Sequence, residues 1–121
     1  MLRTISPIDD SVYVERPLAT AVEIDQALEH ACAAQRAWRD VSIAERAKIL
    51  NRFCDLFEAR RDEIARELTW QMGRPIRYAP NEVRGTVERA RYMIEIAPRA
   101  LADIDAGPKE HFTRFVRREP L

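Results

Sequence analysis

The clearest structural signal in this chain is the segment Asp62-Glu63-Ile64-Ala65-Arg66-Glu67-Leu68-Thr69-Trp70-Gln71-Met72-Gly73-Arg74-Pro75. Its apolar residues recur at the spacing of one helical face: Ile64, Ala65, Leu68 and Met72. Asp62 is expected to cap the first turn. Gly73 is the residue type that ends helices in a left-handed conformation, and Pro75 cannot continue a helix. The segment therefore predicts a helix that stops at Gly73.

Two more helices are predicted upstream, each from the same start signal. Thr20 is followed by Glu23, and Ser42 is followed by Glu45, so each pair can form a capping box in which side chain and backbone bond reciprocally. The apolar face predicted for the first helix comprises Ile24, Ala27, Leu28, Ala31 and Trp38. The buried stripe predicted for the second comprises Ile49, Leu50, Phe53, Leu56 and Phe57.

Downstream, Pro80-Asn81 opens a last long helix, which Pro98 is expected to end or kink. Its predicted inward face comprises Val83, Val87, Ala90, Ile94 and Ala97. Residues 102–110 are predicted to form the loop that connects this helix to the strand that follows. The alternating, β-prone residues Phe112–Val116 then predict a strand, and the sequence offers no strand after it for pairing.

At the other end of the chain, Leu2–Ile5 and Val12–Val14 are short β-prone runs joined by a turn rich in Pro, Asp and Ser. They predict a hairpin, and an isolated hairpin needs a larger surface on which to pack. The fold class that follows is mainly α, with an N-terminal β-hairpin and a C-terminal strand.

Composition excludes several classes of function. The 121 residues include 20 basic and 20 acidic side chains, so no net charge favours nucleic acid or an anionic membrane. No apolar run approaches the roughly 20 residues of a membrane span, and the N-terminus lacks the apolar core of a signal peptide. With only two cysteines and no disulfide pattern, we expect a reduced, cytoplasmic protein.

The sequence contains few candidates for chemistry. Cys32 and Cys54 each lie within a predicted helix without the cation or helix start that lowers a thiol pKa, so a packing role is favoured for both. His30 is expected on a solvated helix face and His111 just before the terminal strand. Two separate histidines do not form a metal site, and neither has an identifiable nucleophile to serve.

Charged pairs are interpreted as structural too. Asp9-Asp10 is expected in a turn and Asp62-Glu63 at a helix start. The arginines in Arg60-Arg61 and in residues 114–118 could contact nucleic acid, but neighbouring acidic residues and strand alternation explain them more simply. The glycines Gly73, Gly85 and Gly107 are too far apart to form a phosphate-binding loop.

Several short stretches along the chain are informative through their order and spacing. They are Thr4-Ile5-Ser6-Pro7, Ala19-Thr20, Ala37-Trp38-Arg39, Glu45-Arg46-Ala47-Lys48-Ile49-Leu50, Met72-Gly73-Arg74-Pro75, Glu82-Val83 and Ala90-Arg91-Tyr92. Through these stretches the whole chain resembles the N-terminal portion of the NAD(P)-dependent aldehyde dehydrogenases. The basic residue in the turn at Gly73 is Arg74, where the family has lysine.

The resemblance implies a partial α/β, Rossmann-like fold that lacks its sheet. Residues 1–108 would be the helical part of the NAD(P)-binding domain, and residues 109–121 would start the strand of the oligomerisation arm. The family oxidises an aldehyde to a carboxylic acid through a cysteine thioester. The residues that do this and those that bind NAD or NADP lie beyond position 121 in the family's order. The resemblance therefore assigns no catalytic, cofactor-binding or metal residue to this chain, although some relatives hold a cation near the positions of Thr4 and Glu82.

Two hypotheses follow. In the first, the chain is an N-terminal fragment of an aldehyde dehydrogenase, inactive and without bound cofactor alone, whose partners are the remainder of that chain or a second subunit. The family's terminal strand continues into a Gly-Val-Val stretch that is missing after Leu121. In the second, the chain is a stand-alone helical module that binds another protein through the face that would cover the sheet.

Overall fold

A computed structural model describes residues 1–119; the predicted chain end at Pro120-Leu121 lies outside the described residues. Its elements, in chain order, are β1 (Leu2–Ile5), β2 (Val12–Arg16), α1 (Ala21–Arg39), α2 (Ile43–Ala59), α3 (Arg61–Met72), α4 (Ala79–Ala100), β3 (Ile104–Asp105) and β4 (Phe115–Val116). The prediction of a mainly helical chain with an N-terminal hairpin is confirmed.

Helix α4 forms the centre of the packed region, since both α2 and α3 pack against it. The buried apolar side chains among the described residues are small and lie on these three helices: Cys54, Ala65, Ala79, Val83 and Val87. No residue of α1 is buried. The core is therefore a narrow seam along α4.

The β1–β2 hairpin packs on α3, as the sequence predicts for a hairpin too small to be stable alone. The strands pair antiparallel with Thr4 opposite Val14, and the register shifts after Thr4. The Tyr13 ring stacks on Trp70 with 6.1 Å between ring centroids. The Tyr13 hydroxyl donates a 2.8 Å hydrogen bond to a Glu67 carboxylate oxygen, and this acceptor raises the pKa of the tyrosine.

Gly73 ends α3 as predicted. Its φ of 70° lies in the left-handed region, and its backbone N–H donates to the Thr69 carbonyl at 2.9 Å. A Cβ at this position would lie 3.1 Å from Cγ of Pro7 in the hairpin turn. The absence of a side chain therefore serves both the helix end and the close approach of the hairpin.

Two helix starts differ from expectation. Asp62 does not cap α3, because a single residue, Arg60, joins α2 to α3 and the helix has begun by Arg61. Asp62 instead contacts the Arg61 guanidinium at 3.2 Å from within the first turn, where its charge still suits the helix dipole. At α2, Ser42 accepts from the Glu45 N–H as expected, but the Glu45 carboxylate pairs with Lys48.

The C-terminal region also departs from the sequence prediction. Helix α4 passes through Pro98 and ends at Ala100. The predicted strand at Phe112–Val116 shortens to β4, and the prediction that it has no strand to pair with is wrong, because β4 pairs antiparallel with β3. The chain reverses direction through Gly107 and His111, which have φ values of 82° and 63°. The positive φ of His111, which is not a glycine, is a feature of this reversal that residue type does not predict.

Candidate functional site

An apolar concavity with a volume of about 250 Å³ lies between α2 and α4. We call it the α2–α4 groove. Its lining contributes almost no polar surface. A ligand would therefore be held by shape complementarity and hydrophobic contact, without hydrogen bonds. The lining residues are Leu50, Phe53, Cys54, Ala90, Met93, Ile94 and Ala97.

The groove includes part of the α2 stripe that the sequence predicts to be buried. Here Leu50 is 46% exposed, Phe53 is 50% exposed and Met93 is 61% exposed. A smaller apolar cavity of about 90 Å³ continues it past Ile43 towards Leu101. Exposed apolar surface that follows two packed helices for several turns is typical of a face that another polypeptide covers.

Helix α1 presents a second uncovered apolar surface. Ile24 and Leu28 are 49% and 59% exposed. The helix is held at its C-terminal end by Arg46, whose Nε donates to the Val41 carbonyl at 2.9 Å and whose guanidinium lies over the Trp38 ring. None of the described helices has the length and apolar content needed to cross a lipid bilayer.

The thiols and imidazoles are distributed over α1, α2 and the turn before β4. Cys54 is fully buried in the wall of the groove, which supports its predicted packing role. Cys32, for which packing was also predicted, is exposed on α1, as is His30. His111 occupies an exposed turn, with its Nε2 3.3 Å from a Glu110 carboxylate oxygen. His30 and Cys32 are two positions apart on α1, a spacing that does not bring two helical side chains face to face.

The acidic candidates are engaged in local structure. Asp9 accepts hydrogen bonds from the Ser11 hydroxyl and N–H, which lower the pKa of its carboxyl group, so the predicted turn role is confirmed. Glu82, which the family resemblance placed near a cation, is paired with Arg74 at 2.6 Å. Across residues 1–119, no cluster of three or more His, Cys, Asp or Glu residues is arranged to hold a metal ion.

A family model described as the aldehyde dehydrogenase family matches residues 1–121. The chain belongs to the aldehyde dehydrogenase family. It is 30% identical to the D-glyceraldehyde dehydrogenase (NADP(+)) of Thermoplasma acidophilum over 115 residues, which are 95% of this chain and 23% of that protein. It is 40% identical to a succinate-semialdehyde dehydrogenase of Paenarthrobacter nicotinovorans over 103 residues, which are 85% of this chain and 23% of the relative.

Solved aldehyde dehydrogenase structures contain the same arrangement of elements. The NAD-dependent benzaldehyde dehydrogenase of Corynebacterium glutamicum superposes with a TM-score of 0.81 at 27% identity, over 91% of this chain and 24% of its own. PnpE, solved in complex with nicotinamide adenine dinucleotide, superposes with a TM-score of 0.87 at 27% identity, over 97% of this chain and 24% of its own. The chain thus spans about a quarter of the length of these relatives.

The three glycines of the chain do not form the phosphate-binding loop of a Rossmann fold. A bound pyrophosphate needs glycines in a loop that leads into a helix N-terminus, so that backbone N–H groups reach the phosphates. Here Gly73 ends α3, Gly85 lies inside α4 and Gly107 lies in the loop after β3. None of these three glycines is in such a loop, and we assign no described residue to NAD(P).

Sequence reasoning missed the residues that hold the groove's walls together. Arg91 on α4 donates to a carboxylate oxygen of Asp55 on α2 at 2.7 Å and to the Asn51 side chain at 3.3 Å. Arg91 and Asp55 are 36 positions apart, so no local pattern marks the pair. Arg46 donates to the Val41 and Arg39 carbonyls at the α1–α2 junction, and these contacts depend on the turn between the two helices.

Proposed function

We propose that this chain is the N-terminal scaffold segment of an NAD(P)-dependent aldehyde dehydrogenase. In this assignment, residues 1–108 belong to the cofactor-binding domain and residues 109–121 begin the oligomerisation arm. The reaction of the whole enzyme would be the oxidation of an aldehyde to a carboxylic acid through a cysteine thioester. The segment contributes surface and shape to that enzyme, and the reacting groups come from the rest of the polypeptide.

The observation that carries this proposal is the uncovered apolar surface. An independently folding domain buries most of its large apolar side chains. Here Leu50, Phe53 and Met93 instead line an open groove. The buried core consists of small residues along α4. This division supports a segment whose remaining hydrophobic contacts are made by a β-sheet encoded elsewhere.

We further propose that the chain alone is inactive and binds no nicotinamide cofactor. Burial of Cys54 supports this, since a nucleophile must meet its substrate. The placement of Cys32 along the body of α1, away from a helix N-terminus, supports it as well. Two free cysteines also favour the reducing cytoplasm as its location. The partners would be the remainder of the dehydrogenase chain and, through the arm, a second subunit.

An activity assay tests the proposal. The purified chain should give no aldehyde-dependent formation of NADH or NADPH with succinic semialdehyde, glyceraldehyde or benzaldehyde. Turnover that scales with the concentration of the chain would contradict the proposal. The variants Cys32→Ala and Cys54→Ala would then report whether a thiol of this chain is responsible.

A reconstitution experiment tests whether the chain binds the remainder of a dehydrogenase. The chain is mixed with the part of the Paenarthrobacter nicotinovorans succinate-semialdehyde dehydrogenase that follows its matched segment. Formation of a stable complex is expected, and Phe53→Glu in the groove should weaken it at least tenfold, because a charge would enter an apolar interface. The matched control Arg84→Glu, on an exposed position of α4, should leave binding unchanged. Equal loss in both variants would argue against the groove as the contact surface.

A second candidate function is a helical module that binds an unrelated protein. The same exposed groove favours it, since large apolar patches on a surface mark protein contacts. The nucleotide sequence after the codon for Leu121 separates the two candidates. A frame that continues with Gly-Val-Val supports the dehydrogenase segment, whereas a stop codon together with expression of the short chain supports the module.

A further inference from the structure

Three arginines near the C-terminus make contacts that neither the family assignment nor the proposed function requires. The first is Arg114. Its Nη2 donates to three consecutive backbone carbonyls, those of Ala106 at 3.0 Å, Gly107 at 3.1 Å and Pro108 at 3.3 Å. The loop that follows β3 therefore curves around the end of this side chain.

The second is Arg117, which lies one residue after β4. Its Nη2 contacts one carboxylate oxygen of Asp103 at 2.9 Å, and its Nε lies 3.3 Å from both oxygens. Asp103 lies one residue before β3. The pair therefore joins the two open ends of the β3–β4 ladder by a charge-assisted contact from two nitrogen donors.

The third is Arg118, which contacts the end of α4. Its Nη1 donates to the Ala100 carbonyl at 2.8 Å and to the Ala102 carbonyl at 3.3 Å. The last four carbonyls of a helix have no partner within the helix, and a cation is favoured at this end of the helix dipole. Arg118 thus supplies both a donor and a positive charge to the C-terminus of α4.

We infer that Arg114, Arg117 and Arg118 form an arginine clamp that fixes residues 103–118 to the end of α4 in the free chain. The β3–β4 ladder has only two residue pairs, which is too few for a stable hairpin in water. Apolar burial does not supply the missing stability, because Phe112 and Phe115 are 65% and 50% exposed. The clamp adds to the local contacts within the segment, such as the hydrogen bond that the Gly107 N–H donates to an Asp105 carboxylate oxygen at 2.8 Å, and it connects the segment to α4.

The clamp has a consequence for assembly. It sets the direction of β4 relative to α4 before any other polypeptide contacts the exposed side chains of Phe112, Phe115 and Val116. Ordering these residues in advance lowers the entropy that a later contact must overcome. The inference concerns the free chain and stands or falls independently of the dehydrogenase assignment.

Amide hydrogen exchange of the 121-residue chain, read by mass spectrometry over residues 104–116, tests the clamp. Arg118→Met removes the donors and should speed exchange in this segment about fivefold, the effect of losing roughly 1 kcal/mol at an exposed charged contact. The matched control is Arg99→Met, which removes one positive charge from the last turn of α4. It should change exchange in residues 104–116 less than twofold.

A second variant keeps the charge and the fold. Arg117→Lys retains a cation beside Asp103 but has one nitrogen donor where arginine uses two, so exchange over residues 104–116 should rise about twofold to threefold. Exchange in α3 should stay unchanged in every variant. Equal effects of Arg118→Met and Arg99→Met would overturn the inference, as would a wild-type segment that exchanges at the rate of an unfolded peptide.

Discussion

The buried seam along α4 and the apolar face of α1 have similar apolar patterns but different surroundings. At the seam, Ala65 and Val83 are 1% exposed and Val87 is 8% exposed. On α1, no residue is buried, and Leu28 is 59% exposed. One apolar face is covered by this chain and the other is left open.

Hydrophobic periodicity accounts for only part of this difference. A 3.6-residue repeat of apolar side chains identifies the face of a helix that benefits from burial. It carries no information on which polypeptide covers that face. In α1, as in the α2–α4 groove, the described residues supply the face without supplying a cover.

The largest expected effect comes from a charge placed in the buried seam, compared with the same charge placed on the exposed face of α1. Val83→Asp puts a carboxylate into the closed seam and should reduce the free energy of unfolding by at least about 3 kcal/mol, enough to abolish the helical signal of a small chain. Leu28→Asp on α1 should cost only about 0.5 kcal/mol through helix propensity. Circular dichroism during heating measures both, and similar losses would mean that α1 is packed as tightly as the seam.

Two glycine-to-alanine substitutions compare a glycine that ends a helix with a glycine inside a helix. Gly73→Ala forces a left-handed residue and brings a Cβ to 3.1 Å from Cγ of Pro7, so it should destabilise the chain by roughly 1–2 kcal/mol. Gly85→Ala lies inside α4, where the new Cβ meets only the mobile end of Arg89, and should stabilise by up to about 1 kcal/mol. Urea unfolding compares the two; the same sign for both would contradict the account of Gly73.

Removing the cap of α1 should act on that helix alone. In Thr20→Ala, the Glu23 N–H loses its side-chain acceptor, which costs about 1 kcal/mol of helix stability. Because α1 has no buried residue, amide exchange should rise in its first two turns and stay unchanged in α3 and α4. Faster exchange across α4 would show that the two helices open together and would contradict this account.

The smallest effect is a pH dependence of the same cap. Hydrogen bonds from the Thr20 N–H and hydroxyl lower the pKa of the Glu23 carboxyl group below its ordinary value of 4.5. The cap's contribution is therefore complete above pH 4.5 and is lost as the pH falls through the lowered pKa. Exchange in the first turn of α1 should rise on acidification. Glu23→Gln, which keeps the amide as an acceptor, should flatten that response; an unchanged response would locate the titrating group elsewhere.

Sequence reasoning succeeded where a single local rule determines the structure. Thr20 with Glu23 forms the full capping box, and Gly73 takes the left-handed φ that its position at a helix end requires. The order of the four helices and the N-terminal hairpin follow from the same rules. Membership of the aldehyde dehydrogenase family could also be inferred from short motifs, because their order along the chain is informative.

The failures share a different cause, since each depends on groups distant in the chain or on a particular turn. Asp62 looks like a cap but lies inside α3, because the α2–α3 connection is a single residue. The strand Ile104–Asp105 has only two residues, and its pairing depends on a reversal at His111 that β-propensity does not encode. The roles of Arg91 and of the arginine clamp likewise require knowledge of which carbonyls and carboxylates the fold brings within reach.

Hydroxyl-radical footprinting of the monomeric 121-residue chain tests the central claim, that the apolar faces of α1 and of the α2–α4 groove are uncovered. Leu28, Phe53 and Met93 should be modified at rates close to those in the unfolded chain, while Val83 and Val87 should be protected. Protection of Phe53 and Met93 to the level of Val83 would show a closed core and contradict the account.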